Sequence, residues 1–170
     1  MKAIETERLI LRDISSKDKH DLFINIFHDK KVLLYFLANY IDNEDDLSID
    51  ALISRMNAGK IYYSIILKEN GECIGILDEQ KRENNLIELG YAIGSKYWNN
   101  GYVTEALNGV LNFFKKGKLF KYIEAGFLGA NIGSKKVLKK CGFKFYKKDQ
   151  ETIFRNGINN AVYYYLKELY

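Results

Sequence analysis

The sequence predicts a mixed α/β (α+β) fold, with helices covering both faces of a single mixed sheet. Two kinds of connection point there. Asn70-Gly71 lies between the apolar runs 61–68 and 73–79, and both residues tolerate the positive φ of a tight turn, so this is a hairpin joining antiparallel strands. The runs Leu86–Ile93 and Tyr122–Leu128 are instead separated by a helical stripe, and a strand–helix–strand crossover makes parallel neighbours. With 170 residues, 47% of them hydrophobic and 14% aromatic, the chain can bury a substantial core, and one domain over 1–170 is expected.

In chain order, Arg8–Asp13 reads as the first strand. Ser15 or Ser16 then caps a helix whose apolar residues Leu22, Phe23, Ile26 and Phe27 recur at helical spacing. A second amphipathic segment surrounds Val32–Leu37. The acidic stretch Asp42, Glu44, Asp45 and Asp46 leads into a helix near Ile49–Met56. Acidic residues there cap the helix and complement its dipole, or they border an entrance that attracts a cationic amine. Strands Ile61–Lys68 and Cys73–Glu79 form the hairpin, and Leu86–Ile93 follows. The next helix carries Val103, Ala106, Leu107, Val110, Leu111 and Phe114 on one stripe and ends near Gly117. Tyr122–Leu128 is a strand, Ser134–Lys140 a helix and Phe143–Lys148 a strand, and Ala161–Lys167 is the last strand, after a turn at Asn156-Gly157.

No apolar run approaches the roughly 20 residues that span a bilayer, and the N-terminus lacks a signal-peptide pattern. The two cysteines, Cys73 and Cys141, and the two histidines, His20 and His28, have neither zinc-site nor disulfide spacing. A cytoplasmic protein without metal or membrane association is expected. The net charge of +4 is unevenly spread. Lys115, Lys116, Lys118, Lys121, Lys135, Lys136, Lys139, Lys140, Lys144, Lys147 and Lys148 crowd the C-terminal third. They form a solvated face, a field that attracts a multiply charged phosphate ligand, or a nucleic-acid surface. The absence of arginine from this block, and of an RNA-binding motif, argues against the third.

Two segments carry chemistry. In Glu88–Ala106, a strand ends at Gly94, a polar loop rises through Asn99, Asn100 and Gly101, and a helix begins at once. A helix N-terminus presents unpaired amides and the positive end of its dipole, and a glycine lets an anion approach the backbone. This is a phosphate cradle, although a lone glycine before a helix is more often a plain turn. In Asn131–Phe143, Asn131 is a preferred N-cap and Gly142 a left-handed C′ residue, so the segment is also a well-capped short helix.

In this order the two segments resemble the GNAT superfamily of acetyl-CoA-dependent N-acetyltransferases, and most closely its branch that acetylates ribosomal-protein N-termini. Glu5–Arg12 resembles that branch's opening strand, Glu72–Ile76 its third and Glu88–Tyr91 its fourth. Tyr97–Ala106 resembles the pyrophosphate loop, and 125–143 the helix after the fifth strand. Val103 stands where the family usually has Gly or Ala. The resemblance implies a mostly antiparallel sheet splayed between its fourth and fifth strands, with acetyl-CoA entering the gap.

It also implies roles. Pantetheine would pair with Tyr91, Ala92 and Ile93, and pyrophosphate would take amides of Asn99, Asn100, Gly101, Tyr102, Val103 and Thr104. Lys136 would join the phosphate field, and Asn131 would cap its helix or bond the pantetheine. An amide near Ala92 would stabilise the oxyanion. Glu88 is the first candidate base, or else an exposed strand residue paired with lysine; Asp78 and Glu79 come second. Many members carry a tyrosine acid where this chain has Leu138, whereas Ser134 matches the serine credited in the ribosomal-protein branch with meeting the CoA sulfur.

The acceptor is an amine. Neutralising an α-amino group at about pH 7 costs about 1 kcal/mol and a lysine ammonium about 4–5, so a protein N-terminus asks least of a base. Polyamines, amino sugars and amino acids remain alternatives, as does a non-catalytic CoA-binding module. Tyr35, Phe36, Tyr40, Tyr97 and Trp98 line the acceptor pocket or belong to the core.

Overall fold

The computed structural model describes residues 2–36, 38–155 and 158–170, with backbone alone over 150–160. Among the described residues, one sheet contains eight strands in the order β1-β2-β3-β4-β5-β6-β8-β7. These are β1 (Ile4–Glu5), β2 (Leu9–Asp13), β3 (Tyr62–Leu67), β4 (Cys73–Glu83), β5 (Leu86–Ile93), β6 (Tyr122–Leu128), β7 (Lys144–Arg155) and β8 (Ile158–Glu168). The α-helices are α1 (Lys19–Leu22), α2 (Lys30–Leu33), α3 (Ile49–Asn57), α4 (Tyr102–Gly117) and α5 (Ile132–Lys140). Every neighbouring strand pair is antiparallel except β5–β6.

Alternation along the strands divides the core between two faces. Ile87, Leu89 and Ile93 of β5 point into a cluster beneath α4 and α5, and the predicted α4 stripe from Val103 to Phe114 is buried in it. Ala92 points the other way, into a cluster with Leu22, Ile26, Phe27, Val32 and Ile49 from the N-terminal helices.

Several elements depart from the sequence reading. A separate β1 precedes the expected opening strand, and β7 runs from Lys144 to Arg155 rather than over Phe143–Lys148. β4 runs on to Glu83 because its charged end still finds ladder partners in Leu86–Glu88, with Gln80 as the extra residue of a bulge between Glu79 and Lys81. The first helix is broken: a 3₁₀ turn at Ser16–Asp18 precedes α1, and a π-turn at Phe23–Phe27 follows it. That wider turn, closed by the His28 amide on Phe23 O at 2.8 Å, carries the buried Asn25 onto the Cys73 carbonyl at 3.0 Å. Ser48, and not the acidic run, caps α3 through the Ala51 amide, while Glu44 bonds His20 at 2.8 Å. The expected turn at Asn156-Gly157, like Leu37, lies outside the described residues.

The sheet opens between β5 and β6. They pair only as Leu86↔Tyr122, Ile87↔Ile123 and Glu88↔Glu124. Beyond that, β5 stays with β4 as far as Ile93 and β6 stays with β8 as far as Leu128, so the two strands part into a fork.

Candidate active site

A cleft of about 550 Å³ occupies the mouth of this fork. It is lined by Tyr91, Ala92 and Ile93 from β5, by Asn99, Gly101, Tyr102, Val103 and Thr104, and by Asn131, Ser134 and Lys136. All but one of the cofactor residues expected from sequence therefore share one cavity. The exception is Asn100, whose amide holds the loop by donating to the Tyr97 and Trp98 carbonyls at 3.2 and 3.1 Å.

The cradle is built by backbone. Gly101 has φ +80° and no capping side chain, and the first intrahelical bond runs from the Glu105 amide to its carbonyl at 3.0 Å. The amides of Tyr102, Val103 and Thr104 therefore have no acceptor within the helix. A Cβ at Gly101 would meet nothing closer than Arg8 Nη2 at 3.6 Å, so the site is open to an anion. Val103 is buried in the core cluster with Ala106 and Leu107, and it also lines the cleft.

Strand parity decides which amides face the fork. The Gly94 amide donates to Ile74 O at 3.0 Å, and the Tyr122 amide donates to Asn85 O at 3.0 Å. Even-numbered peptide groups of β5 thus face β4, and odd-numbered ones face β6. The Ala92 amide itself is turned away from the opening; those of its neighbours Tyr91 and Ile93 face it, and they are the amides near Ala92 that remain candidates for the expected oxyanion donor. Across the cleft, Asn131 Oδ1 accepts the Ser134 amide at 3.0 Å, so Asn131 is a helix cap. The Tyr91 hydroxyl donates to Ser134 O at 3.4 Å, and burial pushes that phenol above its ordinary pKa. Ser134 thereby sits on the first turn of α5, facing β5.

Below the cleft, Asp78 and Glu88 lie on the face that Ala92 shares, whereas Glu79, in register with Leu89, lies on the other. Glu88 is in register with Glu124 and Lys81 at the closed foot of the fork. Burial and the neighbouring Glu124 raise its pKa against the pull of Lys147 and Lys81. Glu88 does not line the cleft; at about 3.3 Å per residue it lies about 13 Å along β5 from Ala92. Glu79 accepts the Ile61 amide at 3.1 Å and Arg82 at 2.5 Å, which commits its carboxylate to structure. Asp78 is buried opposite Gly90, closer to the cleft.

Tyr35, Phe36, Tyr97 and Trp98 line the cleft, whereas Tyr40 bonds His28 at 3.2 Å outside it. The lysine block divides. Lys136 and Lys140 line the cleft, Lys147 pairs with Glu124 at 3.2 Å, and Lys121 with Glu168 at 3.2 Å. Among the described residues, no group of three or more His, Cys, Asp or Glu could hold a metal ion.

The family profile described as Acetyltransferase (GNAT) domain matches residues 8–144. The chain belongs to this family. As a GNAT enzyme it is an acetyl-CoA-dependent N-acetyltransferase that moves an acetyl group to an amine. It is 26% identical over 158 residues to the uncharacterized N-acetyltransferase YoaA of Bacillus subtilis, a match covering 91% of this chain and 89% of YoaA. Among solved structures it is similar to the microcin C7 self-immunity acetyltransferase MccE in complex with acetyl-CoA and AMP. The TM-score is 0.84 and the identity 18%, over 96% of this chain and 93% of that one. It is also similar to RimL, the ribosomal L7/L12 α-N-protein acetyltransferase in complex with coenzyme A. There the TM-score is 0.81 and the identity 15%, over 98% of each chain.

Several contacts that shape this GNAT site escaped the sequence reading. Glu105, on the first turn of α4, accepts the Thr6 hydroxyl at 2.6 Å and the Arg8 amide and Nε at 2.7 Å each. Burial raises its pKa, but these donors lower it further, and the net shift is downward. Arg8 also donates to Asn100 O at 3.1 Å and lies 4.4 Å over the Tyr102 ring, which staples β2 to the cradle. Asp29 caps α2 and accepts the Ser95 amide at 2.9 Å, holding Tyr35 and Phe36 over the cleft. Trp98 Nε1 bonds Ile93 O at 2.9 Å. Only the Asp29 cap had a local sequence signal; the Glu105–Arg8 pairing joins residues 97 positions apart.

Proposed function

We propose that the acceptor is the α-amino group of a protein or peptide N-terminus, acetylated by direct attack with both substrates bound. One observation carries this reading: the unpaired edge of β6. Tyr122 bonds towards β5, so by alternation the even residues of β6 present their peptide groups to the fork. Past Glu124 the next is Gly126, exposed and without a side chain on that face. An extended peptide can add to such an edge by backbone hydrogen bonds, which a polyamine or a sugar cannot do. The fold shared with RimL, an enzyme named for an N-terminal α-amine, supports the same class.

In this reading the amides of Tyr102 to Thr104 and the neighbouring Asn99–Gly101 loop hold the pyrophosphate of acetyl-CoA, with Lys136 in the phosphate field. Tyr91 and Ile93 supply the backbone groups that pantetheine pairs with, and Ala92 closes the cleft floor with its methyl group. Acetyl-CoA, when bound, supplies an activated thioester. Amides of Tyr91 and Ile93 facing the fork are placed to receive negative charge developing on its carbonyl oxygen. A thiol titrates near about 8.5, so a hydrogen bond from the Ser134 hydroxyl suffices for the leaving sulfur. Glu88 and Glu124 give the foot of the fork the charge that draws an ammonium towards it.

The reading is tested by incubating the enzyme and acetyl-CoA with Ser- and Ala-initiated peptides, the same peptides N-terminally blocked, and spermidine. Mass spectrometry would locate the acetyl group. Acetylation of free N-termini but not of internal lysines is expected. Spermidine or blocked peptides turning over faster would overturn the acceptor class while leaving the family untouched.

A further inference from the structure

Asp78 carries the one buried side-chain oxygen that has no hydrogen-bond partner among the described residues, its Oδ1. The other buried polar side chains have theirs. Asp18 bonds Arg12 and Ser64, Asn25 the Cys73 carbonyl, Glu79 the Ile61 amide and Glu124 Lys147. An uncompensated carboxylate oxygen is costly inside a protein and persists where something else answers for it.

Its surroundings show what it awaits. Asp78 is 5% exposed and lies in register with Gly90, on the face of β5 that also carries Ala92 and Glu88. Gly90 has no side chain, and the space a Cβ would take there is filled by Asp78 Oδ1 at 2.9 Å and Gln80 Nε2 at 2.8 Å, so the carboxylate packs directly over the β5 backbone. Gln80 is the extra residue of the β4 bulge, and such bulges re-aim side chains beside functional sites. Its amide donates to Asp78 Oδ2 at 2.5 Å, which fixes one oxygen and leaves the other against Gly90 without a partner. Gln80 itself is exposed, so the cover over the carboxylate is the free end of a flexible side chain. Asp78 stands about 7 Å along the sheet from Ala92, half the distance of Glu88.

We propose that Asp78 is the catalytic base, receiving the acceptor's ammonium over Gly90 when the exposed Gln80 side chain swings aside, and taking its proton. This rests on the N-acetyltransferase reading and deepens it. The ammonium gives one proton to Oδ1, and the neutral nitrogen forms the C–N bond to the thioester carbon. The C–S bond then breaks with its electron pair on sulfur. The nitrogen's second proton goes to that sulfur, and Asp78 later releases its own to solvent. Burial raises the Asp78 carboxyl to about 6, against Arg55 and Lys60, which act at a distance without an ion pair among the described residues. The charged and titratable groups around it are Arg55 of α3, Lys60, Tyr62 of β3 and, farther along β5, Glu88. A base near 6 suits an amine titrating near about 8 and falls well short of a lysine near about 10.4, so the preferred acceptors are α-amines.

The test is the pH dependence of kcat and kcat/KM from pH 5.5 to 9.5 for the wild type, Asp78→Asn and Glu88→Gln, using acetyl-CoA and a Ser-initiated peptide. Asp78→Asn should lower kcat at pH 7 at least about a hundredfold with acetyl-CoA affinity unchanged. The deficit should narrow towards pH 9.5, where the amine is already neutral. Gly90→Ala, whose Cβ crowds Asp78 and Gln80, should raise the peptide KM without weakening acetyl-CoA; melting by circular dichroism verifies that each variant is folded. A folded Asp78→Asn that keeps kcat within about threefold would sink the assignment. So would an acidic limb that disappears in Glu88→Gln and survives in Asp78→Asn. If the wild type ignores N-terminal peptides but turns over spermidine, the peptide reading fails alone. The same profiles with spermidine then decide Asp78.

Discussion

Gly101→Asp isolates what the cradle does. Gly101 sits at φ +80°, where a non-glycine residue is strained by about 1–2 kcal/mol. An aspartate also places a carboxylate next to the free amides of Tyr102 to Thr104, and an N-cap of that kind returns about 1 kcal/mol. No clash opposes it, because the new Cβ lies 3.6 Å from Arg8 Nη2, a group that welcomes an anion. The variant should therefore fold with stability within about 1 kcal/mol of the wild type. Cofactor affinity is another matter. The carboxylate occupies the amides that pyrophosphate needs, and charge-assisted hydrogen bonds contribute about 1.5–3 kcal/mol each. Two lost bonds give at least about 3 kcal/mol, or roughly a hundredfold or more in Kd. Calorimetric titration with acetyl-CoA, ATP as control ligand and Gly101→Ala as strain control, measures this. Gly101→Ala should lose less than about tenfold, since it adds strain without charge. If folded Gly101→Asp binds within fivefold of the wild type, or if Gly101→Ala loses as much, the anion-cradle reasoning is wrong.

Two further outcomes follow from the electrostatics. Glu105→Gln weakens the bonds to Thr6 and Arg8; because Arg8 is 43% exposed, the loss is about 1–2 kcal/mol, a fall in Tm of about 5 °C, with acetyl-CoA binding weakened severalfold. Thermal melts with and without acetyl-CoA check both. Asp78→Asn should stabilise the protein while disabling it. The Asp78 pKa is raised on folding, so its contribution is most favourable below the unfolded pKa and is lost as pH rises through about 6. Urea unfolding should therefore show a gain of about 2–3 kcal/mol at pH 7.5 that shrinks towards zero near pH 4.

The cradle was legible because it is local. A strand, a glycine and a helix start are neighbours in the chain, and the positive φ at Gly101 and the buried Val103-to-Phe114 stripe follow from residue type and a 3.6-residue period. Asn131 as a cap was legible for the same reason, with its partner three residues away. The hairpin at Asn70-Gly71 likewise needed only its own residues, and Gly71 adopts φ +77°. The two-residue β1 is too short to show any period. The π-turn at Phe23–Phe27 repeats apolar residues as an α-helix would, so periodicity could not reveal it.

Residue types and spacing were enough to establish a mixed sheet and a helix that starts at a glycine turn, since each depends on short-range conformational preference; the acetyltransferase class came from the resemblance of whole segments in order. Tertiary structure alone decided at which residue pair the fork opens, that the Tyr91 and Ile93 amides face the gap while Ala92's does not, and that Glu79 is committed to Arg82 while Asp78 keeps an oxygen bare. Those facts depend on register and on which residue lies opposite. Gly90 and Asp78 are 12 positions apart in sequence yet face each other across a ladder whose bulge at Gln80 no local preference announces.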